Sequence, residues 1–283
     1  MNIFQSIILG IVQGITEFLP ISSTAHLRIV PALLQWNDPG TAFSAVIQLG
    51  TMFAVVIYFR KDLSKIYGAL LKDLFLFCRG KATLPLQNYD SKLAFWILLG
   101  TVPICIFGLL FKKQIESGMV RDLNIISFYL IFFGLLLFIS EVISKQSRNI
   151  SKINALDVIL LGLAQSFALI PGVSRAGVTL FAGLLLGFKR ADAARFSFLL
   201  SVPAVLASSL LELTTLIHIV KISTETVIWA DLCIGIMCAF ISGYFSIHFL
   251  LKYLQTNKTN IFVIYRVLLG VLVIYLNYRS VIH

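Results

Sequence analysis

Six stretches of the chain are long and almost continuously apolar. A helix needs about 20 apolar residues to cross roughly 30 Å of hydrocarbon, and the runs are close to that length. They span residues 39–59, 93–111, 123–140, 196–220, 232–251 and 259–278. Only Glu212 interrupts the fourth run and Arg266 the sixth, and we expect both side chains to reach toward the membrane surface. The pattern predicts six transmembrane helices.

Two further apolar regions, 1–37 and 155–188, are each broken in the middle by a polar stretch that contains a proline. The breaks run from Pro20 to His26 and from Pro171 to Arg175. Each break leaves arms of roughly 15 residues, about 22 Å long at 1.5 Å per residue, too short to cross the bilayer with ease. Re-entrant helix–loop–helix hairpins are the better interpretation.

The two broken regions resemble one another. Leu9-Gly10-Ile11-Val12-Gln13 recurs as Leu161-Gly162-Leu163-Ala164-Gln165, and Pro20 aligns with Pro171, at an offset of about 152 residues. Three apolar runs separate the hairpins, and an odd number of spans reverses orientation. The chain is therefore predicted to be a single all-α polytopic membrane domain of six transmembrane helices plus two re-entrant hairpins. It is predicted to form an inverted-topology repeat over approximately 1–140 and 153–283.

Composition excludes a soluble fold. Of 283 residues, 58% are apolar and 13% are charged, whereas a soluble chain averages about 25% charged residues. The net charge is +10, but the basic residues are scattered between apolar runs, as the positive-inside rule produces. No nucleic-acid partner is therefore expected.

The positions of those basic residues predict an orientation. With the 60–92 loop in the cytosol, the cytosolic set is Arg60, Lys61, Lys65, Lys72, Arg79, Lys81, Lys92, Lys145, Arg148, Lys152, Lys189, Arg190, Lys252 and Lys258. The outer set is Lys112, Lys113, Arg121, Lys221 and Arg279. This bias places both termini outside, so that the first hairpin enters from the outer face.

The first hairpin carries the groups for acid–base and nucleophilic chemistry. Gln13 and Glu17 are four residues apart and share a helix face. Glu17 is the only acidic residue among the first 37, and an isolated carboxylate near the bilayer centre is costly unless it is paired, solvated or bound to metal. Ser22, Ser23, Thr24 and His26 follow Pro20 within the break. Capping of the returning helix would explain a single serine there, and a structural role would explain a lone histidine. Three hydroxyls and a histidine close to Glu17 together indicate a functional site.

The second hairpin is suited to an anion. Pro171-Gly172 ends one half-helix, and Ser174 can cap the next, which leaves backbone N–H groups at a helix N-terminus. Arg175 supplies a planar fork that matches phosphate, and Ser174 and Thr179 offer hydroxyl donors. Together the hairpins favour phosphate chemistry. A transporter or flippase for a phosphorylated lipid or small anion is the alternative, because broken helices in inverted repeats are a common transporter plan.

These motifs resemble the undecaprenyl-diphosphate phosphatase family of bacteria, which confers bacitracin resistance. The resemblance covers essentially the whole chain and rests on (Glu/Gln)-x-x-x-Glu continuing into Pro-x-Ser-Ser-Thr-x-His, and on Pro-Gly-x-Ser-Arg-Ser-x-x-Thr. The matching residues are Gln13, Glu17, Ser22, Ser23, Thr24, His26, Pro171, Gly172, Ser174, Arg175 and Thr179. In two departures, Gln13 stands where some members have glutamate, and Ala176 replaces the serine after the arginine.

The resemblance implies a multi-pass hydrolase of the bacterial inner membrane that removes the terminal phosphate of undecaprenyl diphosphate and so recycles the lipid carrier for peptidoglycan. It also implies dependence on magnesium or calcium, a site that opens to the periplasm, and membrane lipids as surroundings. Bacitracin would meet the protein only indirectly, through the shared substrate. The sequence does not define the oligomeric state, and a homodimer is an open alternative.

Roles can then be assigned as hypotheses. Glu17, assisted by Gln13, would hold the metal, with Ser22, Thr24, Gly172, Ser174 and Thr179 contacting the substrate. Arg175 and the N–H groups after Gly172 would stabilise charge on the transferred phosphoryl. Ser23 is the favoured nucleophile, with Glu17 or His26 as its base, but direct attack by His26 or by water remains open. We expect the hairpin tips to meet, with Arg175 facing Ser23 across a bound phosphate.

Overall fold

The fold is all-helical in the part of the chain that the computed structural model describes, which is residues 2–81, 86, 88–115, 121–222 and 229–282. Side chains are described there except at 41, 42 and 211–222, so the predicted orientation of Glu212 lies outside the described residues. The helices are α1 Ile3–Phe18, α2 Ser23–Leu33, α3 Gly40–Tyr58, α4 Arg60–Cys78, α5 Tyr89–Leu110, α6 Lys112–Ile115, α7 Leu123–Ile143, α8 Ala155–Ser166, α9 Arg175–Leu185, α10 Arg190–Ile222, α11 Trp229–Thr256 and α12 Asn260–Tyr278.

Five of these helices are long and apolar enough to cross a membrane, judged on the described residues. They are α5, α7, α10, α11 and α12. The pair α3 and α4 gives a sixth candidate, bent by 78° at the break between Tyr58 and Arg60. A multi-pass membrane protein is thereby confirmed, with five or six candidate spans, whereas the arrangement of six spans in an inverted repeat stays a prediction.

The two regions with internal prolines are both pairs of short helices. Helices α1 and α2 have 16 and 11 residues, and α8 and α9 have 12 and 11, so each arm is shorter than the bilayer is thick. Both returning helices begin after a serine with positive φ, 75° at Ser22 and 68° at Ser174. Each serine hydroxyl caps its helix by accepting a backbone N–H, from Ala25 at 3.4 Å and from Gly177 at 3.1 Å.

Glycines allow the entering arms to pack closely on full-length helices. Helix α1 lies against α11, where a Cβ at Gly10 would collide with the carbonyl of Gly235. Helix α8 lies against α5 in the same way, with Gly162 facing the backbone of Gly100. Backbones approach this closely in membrane helices when small residues line the contact.

Arginine–aspartate pairs fix the chain near the ends of both hairpins. After α2, Asp38 pairs with Arg28 at 3.4 Å and also with Arg121. Before α8, Arg148 donates to both carboxylate oxygens of Asp157, at 3.0 and 2.6 Å. The hydrogen bonds that Arg148 donates to Asp157 raise the pKa of the Arg148 guanidinium. These pairs lie away from the tips, where the polar residues of the two hairpins gather.

Candidate active site

The centre of the candidate site is the carboxylate of Glu17, whose side chain is 6% exposed. One oxygen accepts hydrogen bonds from Gln13 Nε2 at 2.9 Å and from Ser23 Oγ at 2.7 Å. The other oxygen forms an ion pair with Arg175. Gln13 reaches Glu17 from one helical turn before it, Ser23 from the returning helix and Arg175 from the second hairpin. The pair with Arg175 removes the cost that an isolated carboxylate would carry at this depth.

The two hairpin tips therefore meet, as expected, but Ser23 and Arg175 are arranged differently from the expectation. Arg175 was expected to face Ser23 across a bound phosphate. In the structure, the carboxylate of Glu17 lies between the two side chains and contacts both. The charge of Arg175 is therefore paired with that of Glu17.

His26 is held on both ring nitrogens by groups other than Ser23. Nδ1 lies 2.7 Å from the carbonyl oxygen of Ser22, and Nε2 lies 2.7 Å from the hydroxyl of Tyr265. The rings of His26 and Tyr265 are stacked, with centroids 5.6 Å apart. Because a carbonyl can only accept, Nδ1 carries a hydrogen. In the structure, Ser23 is therefore hydrogen-bonded to Glu17, and His26 is hydrogen-bonded to Tyr265. The sequence motifs did not indicate Tyr265.

A direct contact between the tips involves Thr24 and Gly172. The backbone N–H of Gly172 donates to Thr24 Oγ1 at 3.3 Å, and the same oxygen lies 3.1 Å from Ser22 Oγ. Gly172 has a φ of +86°, and a Cβ there would strike the carbonyl of Ile126. Glycine is therefore required both by the backbone conformation and by the close approach of α7.

The hydroxyls of Ser174 and Thr179 are already engaged within the second hairpin. Ser174 Oγ caps α9 through Gly177 N–H. Thr179 Oγ1 donates to the Arg175 carbonyl at 2.7 Å and lies in hydrogen-bond contact with Ser197 Oγ. In this state both hydroxyls support the helix that carries Arg175, whereas they were predicted to contact the substrate.

Arg266 of α12 is fully buried and joins the two tips. Its guanidinium donates to the carbonyl of Pro20 at 3.2 Å in the first break and to those of Gly172 and Val173, both at 3.1 Å, in the second. Nε donates to the carbonyl of Leu130 in α7 at 2.9 Å. One side chain therefore connects both hairpins with two full-length helices.

The prediction that Arg266 would reach toward the membrane surface is wrong. A broken helix leaves carbonyl oxygens without partners, and in a membrane there is no water to satisfy them. The five N–H donors of an arginine are suited to that task. The sequence does show a charged residue well inside an apolar run. The partners of Arg266 are backbone carbonyls, however, and no sequence motif identifies such partners.

The donors around Glu17 fit a divalent cation only together with a phosphate ligand. No group of three or more His, Cys, Asp or Glu side chains that would form a metal cage occurs in the described part of the chain. Oε1 of Gln13, however, is buried without a hydrogen-bond partner beside the Glu17 carboxylate. Magnesium is commonly held by one or two protein oxygens plus substrate phosphates, and Glu17 with Gln13 Oε1 offers such a partial set.

Fold and site together define a multi-pass membrane protein in which two interrupted helical hairpins bring a carboxylate, a serine and an arginine together. Residues 6–272 match the family model described as bacitracin resistance protein BacA, and the chain belongs to this family.

Proteins named undecaprenyl-diphosphatase are similar to this chain over nearly its full length. The protein of Chlorobaculum tepidum is 47% identical over 278 residues, covering 96% of this chain and 95% of its own. That of Chlorobaculum parvum is 48% identical with the same coverage, and that of Myxococcus xanthus is 47% identical over 98% of this chain and 89% of its own. The family suggested by the two hairpin motifs is thereby confirmed.

Replacing Arg266 with methionine should lower the thermal stability of the purified protein strongly. Methionine fills part of the same space but leaves the buried carbonyls of Pro20, Gly172 and Val173 without their donor, and each unsatisfied buried group costs about 1–3 kcal/mol. Arg279→Met, at the exposed C-terminal end of the same helix, is the matched control. Thermal unfolding in detergent measures both, and equal midpoints for the two variants would contradict the assigned role of Arg266.

Proposed function

We propose that this protein hydrolyses undecaprenyl diphosphate to undecaprenyl phosphate and phosphate in the bacterial plasma membrane, and so recycles the lipid carrier for cell-wall synthesis. The observation that carries the proposal is the contact of one buried carboxylate with both a serine hydroxyl and a guanidinium, Glu17 with Ser23 and Arg175. The names of the similar proteins supply the substrate. Resistance to bacitracin follows indirectly, because the antibiotic and the enzyme share that lipid.

Ser23 is the nucleophile in this proposal and Glu17 is its base. The Ser23 hydroxyl already donates to Glu17 at 2.7 Å, within the reach required of a general base. When the diphosphate enters, Arg175 exchanges Glu17 for phosphate oxygens, which it can bind with two parallel hydrogen bonds. Release from Arg175 leaves the Glu17 carboxylate free to take the Ser23 proton.

The reaction then has two steps. The Ser23 oxygen bonds to the terminal phosphorus while its proton passes to Glu17. The bond from phosphorus to the bridging oxygen breaks, and Glu17 gives the proton to the undecaprenyl phosphate that leaves. Water then attacks the phosphoserine while Glu17 takes one of its protons, and Glu17 returns that proton to the Ser23 oxygen as the bond from phosphorus to Ser23 breaks and phosphate is released. Arg175 and the backbone N–H groups of the second hairpin stabilise the charge on the phosphoryl group in both steps.

Magnesium or calcium is proposed as the cofactor, held by Glu17 and by Oε1 of Gln13. When bound there, the cation supplies positive charge to a diphosphate that carries more negative charge than the single guanidinium of Arg175 can balance. In this chain Gln13 replaces a second carboxylate with a neutral oxygen, so the metal is expected to bind together with the substrate.

We also propose that the chain is an inverted-topology repeat of six spans and two re-entrant hairpins, with approximate halves 1–140 and 153–283. The helix pairings support this arrangement, because each contact has a counterpart in the other half. Helix α1 packs on α11, and its counterpart α8 packs on α5. Helix α3 packs on its counterpart α10, and α7 packs on its counterpart α12. Each hairpin also begins with an asparagine capping box, at Asn2 and at Asn154. In this arrangement the site opens to the periplasm.

Ser23→Ala should reduce phosphate release from undecaprenyl diphosphate by at least roughly 10³-fold, because loss of a nucleophile removes the covalent route. Ser6→Ala, which removes another buried serine hydroxyl of the first hairpin, should keep wild-type activity. Acid quenching followed by mass spectrometry should find phosphate on Ser23. A phosphate on His26, or full activity of Ser23→Ala, would contradict the assignment and direct attention to His26 or water.

EDTA should abolish hydrolysis, and magnesium or calcium should restore it, because the carboxylate and the diphosphate otherwise repel each other. Gln13→Glu should lower the magnesium concentration that gives half-maximal activity more than it changes the maximal rate. Full turnover in chelator would remove the metal from the mechanism. An unchanged metal requirement in Gln13→Glu would place Gln13 outside the metal's ligands.

A reporter fused after the C-terminus should be active only if it functions in the periplasm, because the basic residues concentrate on the opposite side. Paired fusions to alkaline phosphatase and to a cytosol-active fluorescent protein measure this. Fluorescence from the second fusion, with an inactive first one, would reverse the proposed topology.

A further inference from the structure

An apolar groove adjoins the candidate active site. It has a volume of about 390 Å³ and runs between α1 and α12, with Ile15, Leu19, Ile261 and Phe262 in its walls. His26 and Tyr265 form part of the same wall. The volume lies within the roughly 300–1,000 Å³ typical of small-molecule sites.

The groove adjoins the site at His26. His26 lines the groove, and its Nδ1 is hydrogen-bonded to the carbonyl of Ser22, the residue before the proposed nucleophile. A prenyl chain that extends from a phosphate at Ser23 past His26 therefore reaches this groove. The walls are apolar apart from Thr16, His26 and the Tyr265 hydroxyl, which matches a hydrocarbon and not a second anion.

We propose that this groove holds the first isoprene units of the lipid substrate, and that Tyr265 is a positioning residue that links the groove to His26. The inference rests on the proposed function, since it assigns a place to the chain of that substrate. Lipid tails are as apolar as an isoprenoid, so the groove adds little hydrophobic affinity within the membrane. Its contribution is orientation, because a chain fixed in the groove presents the diphosphate to Ser23 in one geometry.

Tyr265 is suited to that link because it both contacts His26 and lines the groove. Its hydroxyl lies in a hydrogen bond with Nε2 of His26, at 2.7 Å, and its ring stacks on the imidazole. The rest of the ring lies in the groove wall, where the side chain is 42% exposed. A prenyl chain in the groove packs against the ring that fixes His26, so chain binding and the orientation of the imidazole depend on one side chain.

The proposed role of the groove is tested by a substitution that places a larger side chain in its wall. Ile261 and Ile264 lie on the same helix and are similarly exposed, at 56% and 59%, but only Ile261 lines the groove. With farnesyl diphosphate as the probe in detergent, Ile261→Trp should lower kcat/KM at least tenfold, in the range expected for misfit of a hydrocarbon in its pocket. With dimethylallyl diphosphate, which has one isoprene unit, the loss should be smaller. Ile264→Trp should match the wild type with both substrates.

The link to His26 is tested by removing one hydroxyl. Tyr265→Phe keeps the groove wall and the stacked ring, so KM for farnesyl diphosphate should stay unchanged. Because the ring of His26 holds the carbonyl of Ser22, next to Ser23, loss of the hydroxyl that fixes this ring should lower kcat severalfold. Tyr265→Leu removes the ring as well and should also raise KM. Tyr275→Phe, an exposed tyrosine of the same helix, is the control and should leave both parameters unchanged.

The outcomes separate this inference from the proposed function. If the wild type hydrolyses farnesyl diphosphate while Ile261→Trp and Ile264→Trp behave alike, the groove assignment is overturned and the phosphatase activity stands. If Tyr265→Phe keeps the wild-type kcat, Tyr265 has no positioning role. If the wild type releases no phosphate from either prenyl diphosphate or from undecaprenyl diphosphate, the proposed function fails and the groove assignment fails with it.

Discussion

The assembly of this protein depends on satisfying the backbone groups that two broken helices leave inside a membrane. Each hairpin ends its entering arm at a proline-containing break, and the carbonyls of Pro20, Gly172 and Val173 then have no helical partner in their own segment. Arg266 donates to all three and to Leu130. In water such groups would be solvated, but in hydrocarbon they would cost several kcal/mol each. A buried arginine, itself costly at this depth, becomes favourable because it gathers so many acceptors.

The cost of unpaired groups inside a membrane also explains how the charges of the site are arranged. Glu17 and Arg175 come from different hairpins, and each would be an expensive isolated charge in the bilayer. Paired, they neutralise one another. In the proposed mechanism a diphosphate takes the place of Glu17 on Arg175, because phosphate oxygens can accept two parallel hydrogen bonds from a guanidinium. The exchange would free the Glu17 carboxylate to take the Ser23 proton.

Several of these features could be predicted from the sequence, because they are local. Apolar runs of span length, the breaks at Pro20 and Pro171, and the motif residues of both hairpins are visible as patterns along the chain. The partners of Arg266 and His26 are not, because one bonds backbone carbonyls and the other bonds Tyr265, which is 239 residues away. The engagement of Thr179 with Ser197 was missed for a similar reason. Spacing shows which side chains share a helix face, but it does not show which distant helix will pack against that face.

The central claim is that the two hairpins form one site through the Glu17–Arg175 pair, and a double-mutant cycle on thermal stability tests it most directly. Arg175→Met alone leaves a buried carboxylate without its cation, a type of change that costs about 3–5 kcal/mol. Adding Glu17→Gln removes the stranded charge. Coupled residues deviate from additivity, whereas distant ones do not. The account predicts that the double variant Glu17→Gln/Arg175→Met unfolds at a higher temperature than Arg175→Met. If the two effects simply add, so that the double variant is the less stable, the hairpins do not share this ion pair and the single-site account is wrong.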